Sequence, residues 1–74
     1  MAAKDIRFSG HAVFQMVERN ISKRSVLQCL NAPDKIVQER SYRYRSMKIF
    51  QKNTKDYLLV VVYDERVKQT EVVT

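Results

Sequence analysis

The residue types that cross-link a small protein or interrupt its helices and strands are scarce in this sequence. Cysteine, glycine and proline each occur once among 74 residues, and tryptophan is absent. The lone Cys29 excludes a disulfide within the chain and is typical of a reducing compartment. So little glycine and proline excludes collagen-like, proline-rich and linker-like chains. We therefore expect one folded domain over residues 1–74, located in the cytoplasm.

Long apolar runs and metal-ligand clusters are missing as well. The opening Met-Ala-Ala-Lys-Asp contains no apolar stretch with a cleavage site, and the longest apolar run, residues 58–63, is too short to span a bilayer. A chain of this length buries only roughly 60% of its unfolded surface, which leaves little room for a deep pocket. The sequence predicts no membrane association, no cofactor and no metal site.

Positive charge is plentiful and unevenly distributed. The formal net charge is +6, from 14 basic and 8 acidic residues. Between residues 38 and 48, Arg40, Arg43, Arg45 and Lys48 face a single acid, Glu39, so this short segment carries half of the excess. A local basic surface attracts polyanions such as RNA, and it would equally suit an acidic protein partner.

The first half of the chain has helical periodicity. Residues 11–21 place one set of apolar side chains at helical spacing, so we expect this set to face the core: Ala12, Val13, Met16, Val17 and Ile21. Ser9 is a suitable N-cap, and Asn20 can adopt the left-handed conformation that ends a helix. Ser22 can cap a second helix, which Pro33 would stop.

The second half is rich in β-branched and aromatic residues. It predicts strands at residues 35–39, 42–51, 57–63 and 67–74, joined by connections too short for parallel crossovers. Residues 58–62 are apolar at every position, which is typical of a central strand covered at least in part on both faces. The predicted fold is α+β, with two N-terminal helices packed on a four-stranded antiparallel sheet.

His11 leads the polar side of the first helix, with Gln15 and Arg19 one and two turns further on. It is the only histidine, and histidine ordinarily titrates near neutral pH, so proton transfer is open to it. The alternative is a solvated or capping histidine. Cys29 lies beside core positions, which favours a buried structural thiol over a nucleophile.

Two basic pairs are candidates for binding phosphate. In Tyr42-Arg43-Tyr44-Arg45 the alternation of a strand would place Arg43 and Arg45 on one face, where they could hold RNA phosphates or simply be solvated. Lys23 and Arg24 occupy the first turn of the second helix, where backbone N–H groups also favour an anion. Two exposed cations on a basic protein need no function, however.

The first helix also carries a motif, His11-Ala12-x-x-Gln15-Met16-x-x-Arg19-Asn20-Ile21-Ser22. It resembles the opening His-Ala-x-x-Arg-Met-x-x-Arg-Gly-Ile-Ser of a family of small bacterial and phage-associated domains of unknown function. Val72-Val73-Thr74 looks like that family's hydrophobic-hydrophobic-Thr ending. The family is similar to the RelE/barnase-like superfamily, whose toxins cleave RNA and are often neutralised by an antitoxin protein.

The resemblance implies a RelE/barnase-like fold and a metal-independent endoribonuclease of a toxin-antitoxin system. His11 would transfer a proton, Arg19 would stabilise phosphate charge and Thr74 would position the substrate. Gln15 stands where the family has Arg, so the alternative is a catalytically inactive module that binds RNA or an antitoxin. A third possibility is a subunit whose basic sheet is covered by its own homodimer.

Overall fold

The structure is a computed structural model and describes residues 5–74. Residues 1–4, on which the expectation of no secretion signal partly depends, lie outside the described residues. The elements in chain order are β1 (Asp5–Phe8), α1 (Gly10–Glu18), α2 (Lys23–Asn31), β2 (Lys35–Gln38), β3 (Arg43–Lys52), β4 (Lys55–Glu65) and β5 (Gln69–Val72). Neither helix is long and apolar enough to cross a membrane.

Over the described residues 5–74 the sheet has five strands, in the order β1-β5-β4-β3-β2. The predicted four-stranded antiparallel sheet with two N-terminal helices is wrong on two points: a strand precedes the helices, and that strand pairs in parallel with β5. The strands β2 to β5 do form the antiparallel meander. The strand β1 is only four residues long and its partner lies at the other end of the chain, so no local pattern indicates it.

Both helices begin where the sequence places their caps. The Ser9 Oγ accepts a hydrogen bond from the Ala12 amide at 3.0 Å, and the Ser22 Oγ accepts one from the Ser25 amide at 3.1 Å. Ser9 also reaches the C-terminal segment, because its amide donates to the Val72 carbonyl at 2.9 Å and its hydroxyl donates to the Val73 carbonyl at 3.3 Å. The start of α1 is therefore attached to the end of β5.

The helix α1 ends at Glu18, and Asn20, two residues further on, takes the left-handed conformation with φ 56°. The Ile21 amide then donates to the Met16 carbonyl at 2.8 Å, which is the bond of a Schellman motif. Asparagine is one of the few residues with a side chain that adopts this conformation readily. The prediction for Asn20 is confirmed.

The face that α1 turns to the core differs from the predicted one. Ala12 is buried and Met16 is partly buried, as expected, but Val13 is 42% exposed and Val17 is 78% exposed. Gln15, assigned to the polar side, is partly buried instead. The contacts of Ser9 set the rotation of the helix, and they turn Gln15 toward the sheet.

The strands β3 and β4 form a long hairpin around a two-residue turn, Asn53-Thr54, in which both residues have positive φ as in a type I′ turn. Only part of this hairpin has neighbours: β2 pairs with residues 44–47 of β3, and β5 pairs with residues 63–65 of β4. The prediction that β4 is covered on both faces fails at Leu58, which is 62% exposed.

The core lies between the two helices and one face of the sheet, and its buried apolar residues are Ala12, Val26, Cys29, Val61, Tyr63 and Val72. Inside it, the Ser46 hydroxyl donates to the Cys29 carbonyl at 2.6 Å, and the Cys29 thiol lies 3.4 Å from the Ser46 carbonyl oxygen. Burial raises the pKa of Cys29. The prediction of a buried structural thiol is confirmed, and the residue is unsuited to act as a nucleophile.

The two helix caps allow a matched test of the contact between the chain ends. Ser9→Ala and Ser22→Ala each remove one N-cap, and each should lower the free energy of unfolding by about 1 kcal/mol. Only Ser9→Ala should also shift the backbone amide resonances of Val73 and Thr74, because only Ser9 bonds to that segment. Equal effects of the two substitutions on those resonances would contradict this role.

Candidate functional site

A pocket of about 50 Å³ lies between α1, the start of α2 and the strands β4 and β5. Most of its wall is apolar, and its polar side chains are Gln15, Arg19 and Thr74. This volume equals the space of a few water molecules, well below that of an organic cofactor pocket. The pocket therefore has room only for a small group.

The polar side chains of the pocket come from opposite ends of the chain. Thr74 is held beside β4, where its amide donates to the Val62 carbonyl at 3.2 Å and its carbonyl accepts from the Val62 amide at 2.9 Å. From there the Thr74 hydroxyl donates to the Gln15 Oε1 at 2.6 Å. Arg19, one turn after Gln15, is exposed and forms no ion pair with any residue of the described range 5–74. Its guanidinium is available to an anion in the pocket.

The structure brings two of the three residues predicted for catalysis into the pocket. The third lies on α1, one helical turn before Gln15. Arg19 and Thr74 line the pocket, whereas His11 does not. His11 is exposed on the turn before Gln15, and residues four apart lie on the same side of a helix. His11, Gln15 and Arg19 therefore form a stripe along α1, with its last two members at the pocket.

The cations at the start of α2 are on the same side of the sheet as the pocket. Lys23 lies one turn before Val26, which lines the pocket. The Lys23 ammonium lies 5.4 Å from the centre of the Phe8 ring. Arg24 is exposed beside it. The predicted anion site at this helix terminus remains a prediction.

Arg43 and Arg45 share a face of β3 as predicted, but it is the face opposite the helices. There, Arg43 Nε donates to Asp64 at 2.7 Å and its Nη2 donates to the other carboxylate oxygen at 3.1 Å. Arg45 donates to Glu39 at 2.6 Å. The structure thus does not bring these arginines together with Arg19 and Thr74, and it pairs both with carboxylates. Their predicted contact with RNA is therefore an alternative to RNA binding at the pocket.

Asp64 is a residue that the sequence reasoning missed. Its side chain is 4% exposed, and hydrogen bonds from Arg43 hold the pKa of the carboxyl below its ordinary value of 3.8. The same contact raises the pKa of Arg43. A prediction of the two-residue turn at Asn53-Thr54 would have indicated the ion pair, because this turn sets the register that places Arg43 directly opposite Asp64.

Acidic and sulfur ligands are not clustered. Within residues 5–74 no three side chains of His, Cys, Asp or Glu lie close enough together to hold a metal ion. The chemistry that the pocket can perform with its own side chains is therefore anion binding by Arg19, with hydrogen bonding by Gln15 and Thr74.

Comparison with known proteins identifies one family. The family model described as Domain of unknown function (DUF4258) matches residues 8–74, which include α1, α2, β2 to β5 and all polar residues of the pocket. No curated protein and no solved structure matches the chain.

The ion pair of Arg43 and Asp64 predicts a response to pH. Because the pKa of Asp64 is lowered in the folded protein, ionised Asp64 stabilises the folded state above the ordinary pKa near 3.8. This stabilisation is lost as pH falls through the pKa that Asp64 has in the folded state. Asp64→Asn should lower the free energy of unfolding at pH 7 by about 1–2 kcal/mol, since Arg43 is partly solvated, and should weaken the loss of stability in acid. Asp56→Asn, at an exposed position of the same strand, is the control in urea titrations from pH 7 to pH 3. An unchanged acid response in Asp64→Asn would contradict the assignment.

Proposed function

This chain belongs to the DUF4258 family, whose function is unknown, and we propose that it acts as a toxin-like, metal-independent endoribonuclease. The observation that carries the proposal is the meeting of Gln15, Arg19 and Thr74 in one pocket. Gln15 and Arg19 come from the α1 motif and Thr74 from the Val72-Val73-Thr74 ending, the two segments that resemble the family, and they supply one cation and two hydrogen-bonding groups at a small cavity.

The proposed contact with RNA is to its backbone. Arg19 has no carboxylate partner among the described residues, so binding a phosphate breaks no ion pair there. A guanidinium can donate two parallel hydrogen bonds to a phosphate, and the Thr74 hydroxyl can add a third in place of the one it donates to Gln15 Oε1. Lys23 and Arg24 lie on the same side of the sheet and extend the positive surface along a strand of RNA.

The proposed reaction is an internal transfer within the RNA. The 2′-hydroxyl loses its proton and attacks the neighbouring phosphorus, while the bond from phosphorus to the 5′-oxygen breaks and that oxygen takes up a proton. The products are a cyclic phosphate and a 5′-hydroxyl. His11 is the proton-transfer group, Arg19 stabilises the charge on the phosphoryl oxygens and Thr74 positions the phosphate.

A second function is favoured by two observations and remains the alternative. Gln15 is neutral where the resembling family has Arg, and its Oε1 already accepts from Thr74. His11 lies outside the lining of the pocket. With less positive charge and a more distant proton-transfer group, the same site would serve a catalytically silent module that binds RNA or an antitoxin protein.

An RNA-binding assay distinguishes the pocket from the opposite face of the sheet as the binding site. In fluorescence anisotropy with a single-stranded RNA oligonucleotide, Arg19→Ala should weaken binding and reduce the slope of log affinity against log salt by about 1. Arg45→Ala removes the same charge from the opposite face, where Glu39 neutralises it, and should leave the affinity within about twofold of wild type. If Arg45→Ala weakens binding as much as Arg19→Ala does, the pocket is not the binding site.

An RNA-cleavage assay distinguishes the proposed endoribonuclease from the catalytically silent module. The wild-type protein should cleave RNA in EDTA, and the product should carry a cyclic phosphate. His11→Ala should slow the reaction by roughly 100- to 10,000-fold while RNA binding persists. An RNA with a 2′-deoxy nucleotide at the cut site should resist. Gln15→Arg should preserve or raise the rate. Intact RNA with both the wild type and Gln15→Arg would falsify the enzyme and support the silent module.

A further inference from the structure

The face of the sheet opposite the two helices, called here the helix-free face, is apolar where an uncovered face is ordinarily polar. Alternation along the paired strands assigns six aliphatic or thioether side chains to it: Val37, Met47, Ile49, Leu58, Val60 and Val62. They are contiguous, since Ile49 lies opposite Leu58 and Met47 lies opposite Val60 in neighbouring pairs of the hairpin. Leu58 is 62% exposed and Ile49 is 56% exposed.

An apolar face of this kind is unusual where the face of a sheet is exposed to water. An antiparallel sheet with one solvated face normally alternates apolar and polar side chains, so that only the covered face is apolar. In β4 the residues of both faces are apolar from Leu58 to Val62, yet the helices cover only one of them. Contiguous exposed apolar surface of this kind marks an interaction site.

The charges of the helix-free face indicate what covers it. Alternation and contact place five basic side chains there, Arg7, Lys35, Arg43, Arg45 and Arg66, and five acidic ones, Asp5, Glu39, Asp56, Asp64 and Glu71. The face is therefore nearly neutral, although the chain carries +6. Three of its arginines already contact carboxylates: Arg43 lies 2.7 Å and Arg66 lies 3.6 Å from Asp64, and Arg45 lies 2.6 Å from Glu39.

A neutral face does not attract RNA or a strongly acidic protein, because neither gains from Coulomb attraction there. It does suit a second copy of this chain. Two identical basic proteins repel one another through most of their surface, and the helix-free face is the surface on which that repulsion is smallest. A twofold axis also brings each patch against itself, so that one apolar patch is sufficient for a closed dimer.

We propose that two copies of this chain form a dimer in which their helix-free faces pack against each other. The two sheets would lie about 10 Å apart, as in β-sandwiches, with Ile49 and Leu58 of each copy in the interface. The pockets with Arg19 and Thr74 then lie on the outer surfaces of the dimer, where both remain accessible. The dimer does not depend on the function proposed for the pocket.

The test is the oligomeric state of wild-type protein and two substituted forms in sedimentation velocity. Wild type should sediment as a dimer, and raising the salt concentration should not dissociate it, because apolar contact holds it together. The double variant with Ile49→Lys and Leu58→Lys should sediment as a monomer. Val17→Lys is the matched control, since Val17 is 78% exposed on the helix side, and it should remain dimeric.

A second measurement locates the interface without substitution. In a dimer mixed from isotope-labelled and unlabelled wild-type chains, intermolecular contacts should appear at the methyl groups of Ile49 and Leu58. Circular dichroism of the double variant should match that of wild type, since both positions are exposed. A monomeric wild type would overturn the proposal. So would a dimer that survives Ile49→Lys with Leu58→Lys, or one that shows its intermolecular contacts on α1.

Discussion

The contact of Ser9 with the C-terminal segment joins the two ends of the chain, and the site depends on it. The Ser9 amide and hydroxyl donate to the carbonyls of Val72 and Val73, and the same hydroxyl oxygen accepts from the Ala12 amide. The residues just before Ser9 form β1, which pairs with β5. A helix that begins at this point has little freedom to rotate or slide. Its next turns therefore present Gln15 to Thr74, and the pocket forms between them.

The same fold separates the protein's charge into two surfaces. The helices cover one face of the sheet, and on their side lie cations without carboxylate partners among the described residues, such as Arg19 and Arg24. On the opposite face, strand pairing places Arg43 beside Asp64, and Arg45 contacts Glu39. The RNA proposed for the pocket and the second copy proposed for the helix-free face would therefore bind opposite sides of one small domain, the first through charge and the second through apolar contact.

Local signals were sufficient for much of this structure. Ser9, Asn20 and Ser22 mark the ends of the helices through bonds that span only a few residues, and the four later strands follow from β-branched and aromatic runs. The resemblance of the α1 motif and of the Val72-Val73-Thr74 ending also predicted Arg19 and Thr74 as site residues, and both line the pocket. The rotation of α1 could not be predicted in the same way, because apolar side chains occupy five of its positions and surround much of the helix. Periodicity alone does not choose among such faces.

The sequence by itself determined the helix caps, the four later strand segments, the motif residues and the total charge, since each depends on neighbouring residues or on composition. Only the tertiary structure decided that β1 joins β5, that Gln15 rather than Val13 faces the sheet, and that Arg43 and Arg45 meet carboxylates. The physical reason is distance along the chain. A cap or a tight turn is stabilised within a few residues, whereas a parallel pair between the two ends depends on the fold of the whole chain between them, and its register sets which side chains meet.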